Sequence, residues 1–369
     1  MPETYAVVYG GPSSEHDISV LTGLQALRIL REIAAGGEVH SIYWSKRGDF
    51  YAVAPELEAE AFVNGVPPKS KQLELVTGDE GGFRVKRSLG KPKVLAVDAV
   101  VNCCHGGAGE DGRLQSALDL AGVAYTGPTA NQAALGMDKL TFGAFAAALG
   151  LPTLPRTVLA TESAPAFPAP WIVKPRFGGS SIGIEIVDEY ETALKLAASS
   201  PHLRAGAVVE PFLAEAVDLN ISVRGHGRTA LSEIERPLRA GQGIYSYKDK
   251  YLTSGEGILG APRELPAQVP DHVAQTIRDV ATKVRDALPV RGVARIDFLW
   301  NGDDVWLNEI NTIPGALSFY LWRESGVSYR ELMSDLVAET RVSRSYEPTA
   351  SGSDGSALRS AESIARKLA

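Results

Sequence analysis

Residues 292–315 constrain this chain more than any other stretch. Two runs of apolar/polar alternation flank the polar break Asn301-Gly302-Asp303-Asp304, the pattern of a β-hairpin. Folding about Asp303 sets Asp297 opposite Glu309 and Arg295 opposite Asn311. Residues two apart share a face, so all four polar side chains project from one side of the sheet. Ile296, Phe298, Asn308 and Ile310 are expected to point the other way, mostly into a core. Two facing carboxylates repel unless something sits between them, and a hard cation with oxygen ligands suits that position. Asn311 adds a neutral oxygen and Arg295 an anion-binding fork, so the quartet outlines a Mg²⁺–phosphate site.

At 369 residues the chain is long enough for two or three domains with a large core. Its 37 Lys+Arg against 44 Asp+Glu leave a net charge of −7, which argues against nucleic-acid binding through a basic surface. No apolar run approaches the roughly 20 residues a membrane span needs. No basic segment followed by an apolar stretch opens the chain, so a cytoplasmic protein is expected. The adjacent Cys103 and Cys104 cannot easily bridge each other, and neighbours on a strand point to opposite faces. They read as reduced, partly buried strand residues, not as zinc ligands with His105.

The first hundred or so residues alternate strand and helix. Residues 5–9 form a buried-type strand, and Gly10-Gly11 a turn. Ser14, with Asp17 three residues on, is placed to cap a helix through Leu21, Leu24 and Leu27. Residues 39–44 make a second strand, 55–92 an insertion with short strands, and 94–104 another buried strand ending in a glycine-rich loop. This suggests an open parallel sheet with ligands at the strands' carboxyl ends. No Gly-x-Gly-x-x-Gly opens the chain, so a dinucleotide site is not expected. A helix is expected over residues 129–149, with Lys139 in its middle, then strands over 171–174 and 182–187 joined by a loop ending in Ser180-Ser181. Strands follow over 208–213, 219–224 and 228–235. A helix over 270–288 carries Val273, Ile277, Val280, Val284 and Leu288 on one stripe. Ser328 and Glu331 form a capping box for a last core helix reaching about residue 340, before a loose tail.

The loop Gly178-Gly179-Ser180-Ser181-Ile182-Gly183 lies between strands and lacks Gly-Lys-Ser/Thr, so it is not a P-loop. A glycine-rich hairpin still offers backbone amides and hydroxyls to phosphates, and Lys174 adds a cation beside it. Residues 208–213 suit an adenine edge, with Phe212 as an apolar face.

The motifs Gly10-Gly11-Pro-Ser-Ser-Glu15-His-Asp-Ile-Ser19, His105-Gly-x-x-Gly-Glu110-Asp-Gly, Tyr125-Thr-Gly127, Met137-Asp-Lys139, Val173-Lys174-Pro-x-x-Gly-Gly-Ser180-Ser-x-Gly183, Tyr245-x-Tyr-x-x-Lys250-Tyr251, Arg295-Ile-Asp297 and Asn308-Glu309-x-Asn311-Thr-x-Pro-Gly315 occur in this order. Together, over about residues 3–340, they resemble the D-alanine–D-alanine ligases of the ATP-grasp superfamily. The resemblance implies a three-domain α/β ATP-grasp fold. An N-terminal open parallel sheet (1–127) would precede two α+β lobes clasping ATP (128–213 and 214–344), with a flexible tail over 345–369. It implies ATP-dependent formation of D-alanyl-D-alanine through an acyl phosphate, for peptidoglycan synthesis. The alternative is a relative joining a different amino acid or amine pair.

Position by position, the resemblance makes Asp297, Glu309 and Asn311 ligands of Mg²⁺, with Mn²⁺ as an alternative. It turns Lys139, Lys174, Ser181 and Lys250 toward ATP phosphates, and Glu210 with Phe212 toward adenine. Asp218 falls near the family's ribose-binding Glu. Glu15, Ser180 and Tyr251 match a trio positioning the first amino acid, and Arg295 with the Gly315 amide matches the group holding the oxyanion. His105 is expected near the first substrate. Past Gly315 the chain runs quickly into Arg323, shorter than the family's serine-bearing loop, and Ser318 is the residue expected to serve the second substrate there. Family members often pair as homodimers.

Overall fold

The structure, a computed structural model, describes residues 3–34, 36–86, 93–160, 163–238, 262–344 and 349–361. Three sheets organise them. The first runs β6-β5-β4-β3-β2-β1-β7, from β1 (Tyr5–Gly10), β2 (Val39–Trp44), β3 (Phe50–Val53), β4 (Lys71–Val76), β5 (Gly82–Val85), β6 (Lys93–Val94) and β7 (Ala99–Asn102). It is parallel where β2, β1 and β7 meet, and the expected insertion extends it as an antiparallel meander. β1 is an unbroken apolar run because both its faces are covered. Tyr5, Val7 and Tyr9 pack with Leu24, Leu27 and Leu30 of the helix His16–Ile33 and with Leu332 and Leu336 of the helix Tyr329–Val342. Ala6 and Val8 pack with Leu114, Leu118 and Tyr125 on the other side. Cys103 and Cys104, just past β7, enter these two opposite cores, both fully buried and free.

The second sheet, order β10-β9-β11-β8, is antiparallel and comprises β8 (Thr157–Val158), β9 (Trp171–Pro175), β10 (Glu185–Val187) and β11 (Ala207–Pro211). The third, order β14-β13-β12-β15-β16, is also antiparallel: β12 (Val217–Arg224), β13 (Leu231–Pro237), β14 (Arg263–Glu264), β15 (Val293–Trp300) and β16 (Val305–Asn311). The helix Asp271–Ala287 lays its expected stripe, Val273, Ile277, Val280 and Val284, on Leu219, Ile221, Ile296 and Phe298 of this sheet.

Four local readings change. The 129–149 helix is two helices, Ala130–Met137 and Lys139–Ala148, because the Asp138 carboxylate accepts from the amides of Leu140 and Thr141 and caps the second. Lys139 therefore opens a helix instead of sitting within one. The 94–104 strand is two short pieces. The first helix has Glu15, not Ser14, at its N-cap. Ser13 turns the chain instead, its Oγ accepting from the Glu15 amide at 3.1 Å. Ser328 accepts from the Glu331 amide as expected. Of the tail, residues 349–361 are described and hold one helical turn, Ser356–Arg359.

Candidate functional site

The β15–β16 hairpin pairs Asp297 with Glu309 and Arg295 with Asn311. A bulge makes this register. Phe298 pairs with Leu307 and Asp297 with Glu309, so Asn308 is the extra residue. The tip alone, with Trp300 opposite Val305, would in a regular ladder set Asp297 against Asn308 and turn Glu309 to the other face. The inserted residue restores the carboxylate pair. It also re-aims Asn308, which was expected in the core: its Oδ1 accepts from Lys174 Nζ at 3.1 Å.

The quartet lies where two clefts join. The first, about 880 Å³, opens between the second and third sheets; Lys139, Lys174, Ser181, Glu210, Phe212, Asp218, Asp297 and Glu309 all border it. The second, about 690 Å³, is bordered by Glu15, Glu110, Ser180, Arg295, Asn311 and Gly315. Asp218, Asp297 and Glu309 belong to both walls.

Arg295 grips Asp297 through two hydrogen bonds, 2.7 Å to Oδ1 and 2.8 Å to Oδ2, and Asn311 Nδ2 donates to Oδ2 at 3.0 Å. Burial works against the Arg295 charge, but Asp297 more than offsets it and keeps the guanidinium firmly protonated. Glu309 meets Lys139 Nζ at 3.3 Å. Two carboxylates and a carboxamide suit a hard divalent cation. Among the described residues no group of three or more His, Cys, Asp and Glu converges, so the donor set rests on Asn311 as the third member.

Lys174 Nζ donates to Glu210 Oε2 at 2.7 Å, and Arg156 Nε donates to Glu210 Oε1. The Glu210 side chain is thus fully engaged inside the protein, and its backbone pairs with Ile172 of β9, so an adenine edge must lie past the end of β11. The Phe212 amide is used by Pro170 O at 2.9 Å.

β1 and β7 are adjacent and parallel, so the loops after both emerge at one edge. Those loops carry Glu15 and His105. A Cβ on Gly179 would lie 2.4 Å from Glu15 Oε1, so the glycine-rich hairpin closes directly on the loop after β1. Ser180 and Ser181 follow it with positive φ of 53° and 58°. The backbone amides of Gly106 and Ile313 donate to the two oxygens of Glu110 at 2.8 and 2.9 Å. Burial and the neighbouring Glu15 raise its carboxyl to about 7.

His105, expected against the first substrate, stands behind this wall with 1% exposure. Its Nδ1 lies 2.7 Å from Ile313 O and its Nε2 2.8 Å from Thr22 Oγ1. It braces the loop that presents Gly315. Ser318 is also corrected: it is fully buried, lines neither cleft, and its Oγ has no hydrogen-bond partner among the described residues. Ala316, Leu317 and Ser318 all take left-handed backbone, and this turn brings Tyr320 to the second cleft instead. Arg263 stacks 4.3 Å from the Tyr320 ring centre and lies 3.1 Å from Glu235. Sequence reading gave no role to Glu235, Arg263, Tyr320 or Arg156. Lys250 and Tyr251, with Tyr245, lie outside the described residues.

Two lobes closing on a charged cleft beside an α/β sheet define the class: an ATP-grasp fold. The chain matches the D-ala D-ala ligase N-terminus model over residues 4–128 and the D-ala D-ala ligase C-terminus model over residues 141–338. It belongs to the D-alanine–D-alanine ligase family. Its relatives include the D-alanine–D-alanine ligase of Bradyrhizobium sp., 32% identical over 353 residues, covering 90% of this chain and 94% of that one. The enzyme of that name from Mycobacterium ulcerans is 34% identical over 363 residues, covering 92% and 95%. Among solved structures, D-alanyl-alanine synthetase A from Vibrio cholerae shares the fold with a TM-score of 0.75 at 22% identity, covering 93% of this chain and 100% of that one. The VanG D-Ala:D-Ser ligase from Enterococcus faecalis does so at 0.74 and 22%, covering 92% and 100%. Among the described residues, no helix is long and apolar enough to cross a membrane.

Proposed function

We propose that this chain is an ATP-dependent carboxylate–amine ligase that joins two D-alanine molecules for peptidoglycan synthesis. The observation that carries the reading is the shared wall of the two clefts. A phosphoryl donor in the first and a carboxylate in the second meet where Asp297 and Glu309 border both clefts. Lys139, Lys174 and Ser181 serve the phosphates, Asp218 the ribose, and Phe212 just past the end of β11 the adenine. Lys250 and Tyr251 keep their sequence-based roles toward phosphate and first substrate. Asp297, Glu309 and Asn311 hold Mg²⁺, with Mn²⁺ as a substitute. Such a cation, when bound, neutralises charge on the transferring phosphoryl group.

The remaining chemistry belongs to the chain's own side chains. Glu15, beside Ser180, receives the ammonium of the first amino acid. Transfer of the γ-phosphoryl to that amino acid's carboxylate makes an acyl phosphate and releases ADP. The second amine, unprotonated, attacks the carbonyl, and collapse of the tetrahedral oxyanion expels phosphate, which takes up the proton the nitrogen loses. Arg295 and the Gly315 amide face that oxyanion. Asp297 holds the Arg295 fork in one orientation, so its donors need not reorganise as charge develops.

The domain division over 1–127, 128–213, 214–344 and 345–369, a cytoplasmic location and a homodimer are part of the same proposal. Phosphate release from ATP with D-alanine, with mass spectrometry of the product, tests it. D-alanyl-D-alanine is the expected product. Turnover confined to other amino acids or amines refutes the substrate, and no turnover refutes the reaction.

A further inference from the structure

Glu210 carries two cations, one on each carboxylate oxygen, and all three side chains are buried: Arg156 is 4% exposed, Lys174 6% and Glu210 1%. One carboxylate cancels one cation, so the group keeps a net charge of about +1 inside the cleft wall. Lys174 borders the cleft, while Arg156 stands behind it. Arg156 also donates to the backbone oxygens of Lys139 and of Asn308, the latter at 3.0 Å. Asn308 in turn accepts from Lys174. A Cβ on Gly143 would lie 3.0 Å from Arg156 Nη1, so the guanidinium packs closely against the neighbouring helix. Burial by itself raises the Glu210 carboxyl, but Lys174 and Arg156 more than reverse this and keep it ionised.

We infer that Arg156 is a positioning residue that leaves the Lys174 charge available to the phosphates of the nucleotide, by taking up the negative charge of Glu210. This rests on reading the first cleft as the ATP site. Without Arg156, Lys174 and Glu210 form a neutral buried pair, which attracts a polyanion far less than a net cation does. The inference is a statement about charge: the loss should follow the phosphates of the ligand and not its base.

Calorimetric titration with the non-hydrolysable analogue AMP-PNP, and with adenosine as the phosphate-free control, tests this. Arg156→Met should weaken AMP-PNP by roughly 10–100-fold, the range of a lost buried charge interaction, with adenosine held within about twofold. KM for ATP should rise much more than kcat falls. Adding Glu210→Gln removes the carboxylate and returns the net positive charge, so Arg156→Met/Glu210→Gln should recover most of the AMP-PNP-to-adenosine ratio. Arg156→Lys covers a Met variant that fails to fold: it keeps the charge, loses the fork, and should keep that ratio. Equal losses for both ligands, no rescue by Glu210→Gln, unchanged AMP-PNP binding by Arg156→Met, or a ratio lost in Arg156→Lys would each overturn the inference. Wild-type protein that binds neither ligand overturns the reading of the cleft as well.

Discussion

Thr22→Val preserves the shape of a side chain 2% exposed and deletes one hydroxyl. That hydroxyl lies 2.8 Å from His105 Nε2 and 3.0 Å from the Ala316 amide nitrogen. The Ile313 carbonyl only accepts, so the ring proton sits on His105 Nδ1 and Nε2 must accept from Thr22. Burial lowers the His105 pKa to about 4, which keeps the ring neutral near pH 7. The chain therefore runs from the Ala316 N–H to Thr22, to His105 and to Ile313 O. Valine leaves a buried amide and a buried ring nitrogen unpartnered, at about 1–3 kcal/mol each. It also loosens a turn whose three residues, Ala316 to Ser318, have φ of 50°, 49° and 51°, a backbone that costs roughly 1–2 kcal/mol per residue. The expected loss in urea unfolding is about 2–5 kcal/mol. Because the turn follows Gly315 in the amino-acid cleft, KM for the amino acid should rise while KM for ATP stays near wild type. Thr22→Ser, which keeps the hydroxyl, should retain most of both. A loss under about 0.5 kcal/mol with unchanged amino-acid KM would refute the argument that this chain holds the loop.

Three further outcomes follow from the same geometry. Asp297→Asn removes a carboxylate from the proposed cation site and half of the Arg295 grip; turnover measured by phosphate release should fall at least about 100-fold with far-UV circular dichroism unchanged, and wild-type turnover that still needs Mg²⁺ would refute the assignment. With its carboxyl raised from 4.5 to about 7, folded Glu110 holds a proton that the unfolded chain has lost, so this group destabilises the fold as pH rises through that window, by on the order of 3 kcal/mol at the upper end. Glu110→Gln should therefore look worse, relative to wild type, at pH 4.5 than at pH 8 in urea titrations, and a pH-independent difference would count against the buried titration. Burial pushes the Cys103 and Cys104 thiols well up, so a thiol-reactive dye should label them only after denaturation; rapid labelling of native protein would contradict their placement.

The sequence was most legible where periodicity and chemistry coincide. Alternation about a polar break is enough to put Arg295, Asp297, Glu309 and Asn311 on one face, and the stripe from Val273 to Val284 is enough to lay a helix on the same sheet. The bulge was not legible, although the pairing depends on it. Folding about Asp303 gave the right partners only because Asn308 adds the residue that the four-residue tip leaves out. Nothing in the alternation separates a bulged residue from a core one. Asp138 shows the same limit in a helix: a capping residue inside a continuous apolar pattern breaks it only when its carboxylate finds the next amides. Ser318 and His105 were placed by motif, and motif order does not say which way a side chain turns. Three consecutive left-handed residues rotate Ser318 into the core and bring Tyr320 to the cleft. Arg156 gave no signal, since an arginine after a proline reads as surface. Its role exists only because Arg156, just before β8, meets Glu210 of β11, Lys174 of β9 and Asn308 of β16 in one buried cluster. Residues that act through backbone oxygens and shared charge are in this respect set by the fold itself, and a motif records only those that face the ligand.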